Sequence, residues 1–195
     1  PKLGVALRNL ASFYDKQNRS SEAKVLCQRS LVIIENALGP NHLQTAQSLR
    51  SLGQIHVSLG LLSKGVNFYT RALKIYEDKP GIKIDTVAET LRLLANVFDQ
   101  QGHYEKAEDY LMRALHIVEK TPEQNEMLRL SRLQLLHDLA TLLKHKGRYG
   151  DAERSYKQSL SIAEDLLGPD HSFEGVAPIF GKTSFANQQR FTDAL

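Results

Sequence analysis

Leu91-Arg92-Leu93-Leu94-Ala95-Asn96-Val97-Phe98-Asp99-Gln100-Gln101-Gly102-His103-Tyr104-Glu105-Lys106-Ala107 is the stretch that decides the fold. Leu91, Leu94, Ala95 and Phe98 follow the i, i+3, i+4, i+7 spacing of one helix face. Gly102 interrupts that pattern, and a second amphipathic run starts at once and continues through Arg113-Ala114-Leu115-His116-Ile117. Glycine tolerates the left-handed conformation that closes a helix C-terminus and turns the chain back. The stretch therefore reads as helix, tight turn, helix, with Ala95 and Ala107 small enough to let two backbones approach.

The same markers return on either side. A leucine followed by a small residue stands at Leu10-Ala11, Leu52-Gly53, Leu94-Ala95 and Leu139-Ala140, in steps of 42 (10 to 52), 42 (52 to 94) and 45 (94 to 139) residues. Thirteen positions after each leucine comes a second small residue, Ala23, Gly65, Ala107 or Ala152. Asn18, Gly60, Gly102 and Gly147 repeat the turn position. Each second helix runs into Gly39-Pro40, Pro80-Gly81, Pro122 or Gly168-Pro169, and Pro cannot continue the hydrogen-bond ladder. Asn41, Asp85 and Asp170 then offer side-chain oxygens to the start of the next helix.

This period predicts four hairpins, over residues 3–42, 43–85, 86–126 and 127–173, within one domain spanning 1–195. A partial fifth occupies 174–195, where Ala194 matches Ala152 but Pro178 and Gly181 replace leucines and Gln189 takes the turn position. One hairpin cannot bury its own apolar face, so the hairpins must stack, and the expected class is an all-α solenoid.

Composition narrows the function. With 42% hydrophobic and 24% charged residues, the 195-residue chain has the make-up of a folded globular protein. Apolar runs such as Leu31 to Ile34 fall far short of the roughly 18 to 20 residues that span a bilayer, so no membrane segment is expected. The start, Pro1-Lys2-Leu3, lacks an initiator Met and reads as a piece of a larger protein. A single cysteine, Cys27, favours a reducing intracellular setting. The net charge of +3 comes from 25 basic and 22 acidic residues mixed along the chain, without the concentrated stripe that nucleic acid requires.

No constellation for catalysis emerges, and no cofactor or metal is expected. Gly181-Lys182-Thr183-Ser184 resembles the end of a phosphate-binding loop, but Gly175 is separated from Gly181 by five residues where that loop has four. His42 and His171 recur at junctions between hairpins, where capping or packing explains them, since neither has a second ligand at metal spacing. Cys27 stands where Tyr69, Leu111 and Tyr156 stand in the other units, as a small buried hydrophobe does.

The pattern Leu-x-x-Leu-Ala-x-x-Tyr/Phe, then Gly-x-Tyr-x-x-Ala-Glu, then Arg-Ala-Leu-x-Ile resembles the tetratricopeptide repeat, most clearly over Leu91 to Ile117. The 42-residue period and the junctions Leu38-Gly39-Pro40-Asn41-His42 and Leu167-Gly168-Pro169-Asp170-His171 are similar to those of the kinesin light chain subgroup. That resemblance implies a right-handed superhelix of four helical hairpins plus a partial fifth, acting as a scaffold that holds another protein in a concave groove lined by first helices. The chain departs from the subgroup where a doubled Asn is usual, carrying Arg8-Asn9, Arg50-Ser51, Arg92-Leu93 and His137-Asp138 instead.

Carried onto this sequence, the resemblance places Arg8, Ser12 and Asp15, Arg50 and Gln54, Arg92, Asn96 and Asp99, and His137, Thr141 and Lys144 in the peptide-binding groove. Arg8, Arg50 and Arg92 recur at steps of 42, which makes a ladder of guanidinium groups that His137 continues. Planar forks at regular spacing suit the carboxylates of an acidic peptide or helix. The alternative is that the arginines are solvated or paired with Asp15, Glu89 and Asp99, as exposed charges on helices usually are. A second functional reading is a structural spacer or self-association domain, using apolar surface near Pro1 to Val5 or around Phe180, Phe185 and Phe191. The chain is expected to be a monomer or to self-associate weakly.

Overall fold

A computed structural model describes residues 1–121 and 125–167, as eight helices with no strand among the described residues. They are α1 (Lys2–Lys16), α2 (Ser20–Leu38), α3 (Leu43–Ser58), α4 (Leu62–Glu77), α5 (Ile84–Gln100), α6 (Tyr104–Lys120), α7 (Glu126–His145) and α8 (Tyr149–Leu167). Pro122, the junction Gly168-Pro169-Asp170-His171, the partial fifth unit and Gly181-Lys182-Thr183 lie outside the described residues. The chain forms two compact units, Pro1–Tyr110 and Leu111–Leu195.

The turn inside each hairpin is the same object four times. Asn18, Gly60, Gly102 and Gly147 have φ of 61°, 74°, 74° and 73°, the left-handed region expected from the sequence. The N–H of each turn residue donates back three positions, from Asn18 to the Asp15 carbonyl at 2.9 Å and from Gly102 to the Asp99 carbonyl at 2.9 Å. The next N–H donates back five positions, from Arg19 to Tyr14, Leu61 to His56, His103 to Phe98 and Arg148 to Leu143, at 2.8 to 3.0 Å. These two bonds satisfy carbonyls that the helix end would otherwise leave unpaired. The second helix opens on the same residue, whose carbonyl accepts from Ala23, Gly65, Ala107 or Ala152. Turn and small-residue marker are thus locked five positions apart by hydrogen bonds.

The small residues sit where the helices come closest. Ala11, Ala23, Ala95 and Ala107 are buried, and a Cβ added to Gly53 would meet the Tyr69 ring at 2.7 Å. One added to Gly65 would meet Val57 Cγ2 at 2.6 Å and the Gly53 carbonyl oxygen at 3.3 Å, so α3 and α4 approach almost backbone to backbone. Successive hairpins of the first unit share a core: Ala11, Ala23 and Cys27 of the first pack with Leu52 and Ile55 of the second, flanked by Tyr14, Leu26, Leu31, Leu59 and Phe68. In the second unit Leu133 of α7 packs on Ala163 of α8, with Ile162 and Leu166 beside them.

The marker leucines are not equally covered. Leu52 and Leu94 are 1% and 0% exposed, whereas Leu10 is 41% exposed. α3 packs against α2 and α5 against α4, whereas α1 is the first element and meets no earlier helix on that side. Leu3 and Phe13 on α1 are likewise open, although Phe13 stands in register with the buried Ile55 and Val97.

One cap differs from expectation. The cap of α3 is His42, whose Nδ1 accepts from the Gln44 N–H at 3.1 Å, rather than Asn41. Proline at position 40 moves the start of the helix on, and His42 is the residue left in extended backbone with a side-chain acceptor in reach. Asp85 Oδ1 accepts from the Thr86 N–H inside the first turn of α5, where Lys83 is the capping residue and supplies no side-chain bond. Asn125 caps α7 by accepting from the Leu128 N–H at 3.0 Å.

Gly53→Ala should lower stability by about 1–3 kcal/mol, because the Tyr69 ring is buried and must move. That sign opposes alanine's advantage in helix propensity of up to about 1 kcal/mol. Gly150→Ala in α8 meets no atom within 4 Å and should be neutral or stabilising. Urea unfolding of both variants checks the contrast, and a stabilised Gly53→Ala would refute the close approach.

Candidate peptide-binding site on the first helices

The first unit carries Arg8, Ser12 and Asp15 on α1, Arg50 and Gln54 on α3, and Arg92, Asn96 and Asp99 on α5. A 42-residue step returns each arginine to the same register position, so the fold rather than the local chain repeats the cation. The three nevertheless have different surroundings. Arg92 is taken up by Glu89 on its own helix, with Nε to Oε2 at 2.8 Å and Nη2 to Oε1 at 3.0 Å. Glu89 lies three positions earlier, the spacing that brings helical side chains together; the corresponding residues before Arg50 and Arg8 are Gln47 and Val5, which bear no charge.

Arg8 reaches from α1 to α3, where Nη1 donates to the Gln44 Oε1 at 3.2 Å and to the Gln44 carbonyl oxygen at 3.4 Å. Both acceptors are neutral. Burial, first, and the nearby Arg50 charge lower the pKa of Arg8 from its ordinary value. Arg50 is half-buried and makes no hydrogen bond or ion pair with a described residue. The expected ladder therefore divides into one neutralised rung and two that retain their charge.

The other predicted residues are distributed as follows. Ser12 is exposed. The Asp15 carboxylate accepts from Ser20 Oγ at 2.6 Å and Ser58 Oγ at 3.2 Å, so it ties the turn of the first hairpin to the end of α3. Gln54 Oε1 accepts from the Tyr69 hydroxyl at 3.1 Å, and burial raises that phenol's pKa. Asn96 and Asp99 are half-buried on α5.

In the second unit, His137 is only 6% exposed, and its ring meets Tyr156 edge-on at 5.4 Å. A side chain covered to that degree presents little surface to a guest. Thr141 donates to the His137 carbonyl at 3.1 Å and lies 3.1 Å from the Tyr156 hydroxyl, while Lys144 is half-buried. Cys27 is fully buried, and desolvation pushes its thiol pKa up to about 12, well away from a reactive thiolate. Among the described residues no group of His, Cys, Asp and Glu is arranged to hold a metal, and no helix is long and apolar enough to cross a membrane.

Gln44, which accepts from Arg8, and the buried Tyr76 were not singled out from sequence. Tyr76 occupies the second-helix position held by Ile34 and Val118 in the neighbouring repeats, so its hydroxyl is the one polar group at an otherwise apolar site. That break in register is the signal that could have marked it. The hydroxyl is buried and has no hydrogen-bond partner among the described residues.

Burial lowers the pKa of His137 below its ordinary 6.5, with Asp138 acting in the opposite direction. The unfolded chain thus takes up a proton that the folded state resists. The stability contributed by neutral His137 is present above about pH 6.5 and is lost as pH falls through that value toward the lower folded pKa. The fall in thermal midpoint on acidification from about pH 7.5 to about pH 5.5 should be smaller in His137→Gln. Equal falls in the two proteins would remove His137 as the cause.

Two family models, both described as tetratricopeptide repeat, match residues 3–78, 66–120 and 132–172. No curated protein matches. Among solved structures, BtubC (BKLC) from P. vanneervenii is similar with a TM-score of 0.78 at 20% identity, over 87% of this chain and 66% of that one. A Podosopora anserina protein described as a kinesin light chain with nearly identical TPR-like repeats superposes with a TM-score of 0.71 at 20% identity, over 96% of this chain and 88% of that one. Its Q17M form gives 0.72 at 20% identity, over 96% and 87%. At such identities the likeness speaks for the fold, and it agrees with the repeated turns and helix contacts described above. With helix pairs in a 42-residue register and family models covering most of its length, the chain belongs to the tetratricopeptide repeat family.

Proposed function

We propose that this protein is a non-catalytic interaction scaffold that holds a peptide or helix of an acidic partner protein against its first helices. Tetratricopeptide repeats generally mediate protein–protein contact, and stacked helical hairpins offer an extended surface for that use. The observation that carries the acidic preference is the pair Arg8 and Arg50. They are two half-buried guanidinium groups in one register position, and neither forms an ion pair with a described carboxylate. Exposed arginines on a helical surface usually find a neighbouring carboxylate or full hydration, as Arg92 finds Glu89. Arg8 and Arg50 retain planar donors suited to a guest carboxylate.

A second reading, self-association, is supported by α1. Leu3, Leu10 and Phe13 are 56%, 41% and 55% exposed on one helix face, an apolar stripe that a second molecule could cover. Light scattering over a concentration series tests it, and a constant monomer mass would exclude it.

For the leading reading, the chain should retain members of an immobilised library of Asp- and Glu-rich peptides. Replacing Arg8, Arg50 and Arg92 together by Glu should weaken retention at least about tenfold, the scale of one lost charge-assisted hydrogen bond, while helical circular dichroism stays unchanged. Undiminished retention by the triple variant would overturn the reading.

A further inference from the structure

The open face of α1 has the register of a stacking face. Leu3, Ala6, Leu10 and Phe13 stand at i, i+3, i+7 and i+10, one stripe along the helix, and all four are exposed. Forty-two residues on, the same stripe of α3 is Thr45, Ser48, Leu52 and Ile55, and a further 42 on, that of α5 is Val87, Thr90, Leu94 and Val97; all eight are buried. What covers α3 is the second helix before it. From α2, the Cys27 thiol donates to the Ser48 carbonyl at 3.6 Å, the Ser30 hydroxyl lies 3.5 Å from that of Ser48, and Leu26 and Leu31 flank Leu52 and Ile55. α4 packs on α5 in the same order.

Composition sets the α1 stripe apart from the two covered ones. α3 meets α2 partly through hydrogen bonds, with Thr45 donating to the Gly39 carbonyl at 2.8 Å beside the serine pair, and α5 keeps Thr90. At the positions of Thr45 and Ser48, α1 has Leu3 and Ala6, so its stripe is wholly apolar. In stacked repeats a face left to water is polar; this open face is more apolar than the buried ones. Beside it runs a row of Lys2, Asn9 and Lys16, all exposed, and neither lysine forms an ion pair with a described residue. The corresponding rows, Gln44, Ser51 and Ser58 on α3 and Thr86, Leu93 and Gln100 on α5, carry no charge.

We infer that this stripe docks an amphipathic helix of a partner protein, with an apolar contact face and carboxylates along the edge that meets Lys2 and Lys16. The guest lies antiparallel to α1, as α2 lies on α3, since helices joined by residues 39–42 alone run antiparallel. It takes up the stacking contact already made twice within the first unit. Charge decides between this guest and a second copy of the chain. Two copies docked through α1 in the same antiparallel sense would set Lys2 of one molecule against Lys16 of the other, whereas an acidic edge gives both lysines a partner. The surface is distinct from the arginine series, because Arg8 lies on the opposite side of α1 and bonds to Gln44 of α3.

The probes are staple-locked 16-residue helices with Leu and Ala fixed along one face and the flanking positions all Glu, all Gln or all Lys, titrated against the full chain by fluorescence anisotropy. The Glu-edged helix should bind about fivefold more tightly than the Gln-edged one, and the Lys-edged helix most weakly. Leu10→Asp and Phe13→Asp should each weaken it at least about tenfold; both positions are exposed, so circular dichroism should stay unchanged. Lys2→Glu with Lys16→Glu should invert the order of the three helices. Val32→Asp, at an exposed apolar residue of α2, serves as the control. Leu10→Asp should leave the retention of Asp- and Glu-rich peptides in place, which separates this surface from the one proposed above. Equal binding by the parent chain and the Leu10→Asp and Phe13→Asp variants would overturn the docking surface, and indifference to edge charge would overturn the acidic guest. A dimer that Leu10→Asp dissociates, in a chain that binds none of the helices, would assign the stripe to a second copy and overturn the partner helix.

Discussion

Two helices can lie nearly backbone to backbone only if no side chain stands between them, and the hairpins of this chain depend on that restriction. At Gly53 and Gly65 the gap is too small for a methyl group, because Tyr69 and Val57 already fill it. Ala11 with Ala23 and Ala95 with Ala107 hold the same positions in the neighbouring hairpins and are buried. The left-handed turn delivers the second helix to this place, since its paired hydrogen bonds fix where the chain reverses and where the next helix begins. Close approach then leaves a continuous apolar face along each hairpin, and in the first unit the next hairpin buries it.

Burial by neighbours explains why equivalent residues have unequal fates. Leu10, Leu52 and Leu94 are one repeat position, yet only the latter two are covered, because α1 has no helix before it in the structure. Cys27 shows the reverse case. It stands where a large aromatic or leucine is found in other units, and it packs in one core with Leu52 and Ile55 from the next hairpin. Its thiol reaches the Ser48 carbonyl at 3.6 Å and behaves as part of the core.

The same logic governs charge. A repeating scaffold copies backbone position faithfully, whereas the residues three positions earlier on each helix are free to vary. Glu89 satisfies Arg92 within one turn, while Gln47 and Val5 leave Arg50 and Arg8 to look elsewhere. Arg8 finds Gln44 on the adjacent helix, and Tyr76 brings a hydroxyl into a position otherwise filled by isoleucine or valine. One ion pair thus turns a uniform series of arginines into a series of unequal charge.

The hairpins, their turns and their small-residue contacts were legible in the chain itself, because they depend on local rules: helix periodicity, left-handed turn residues and volume at fixed spacing. The identity of the α3 cap was not, since Asn41 and His42 both carry acceptors and only the backbone path after Pro40 selects His42. Exposure at the first helices was likewise undecided. His137 continues the arginine series in register but lies buried against Tyr156, because packing with α8 determines what covers a side chain and register alone does not. The i, i+3 pairing of Arg92 with Glu89 could be read from residue order, whereas the bond from Arg8 to Gln44 joins α1 to α3 and exists only once they are packed.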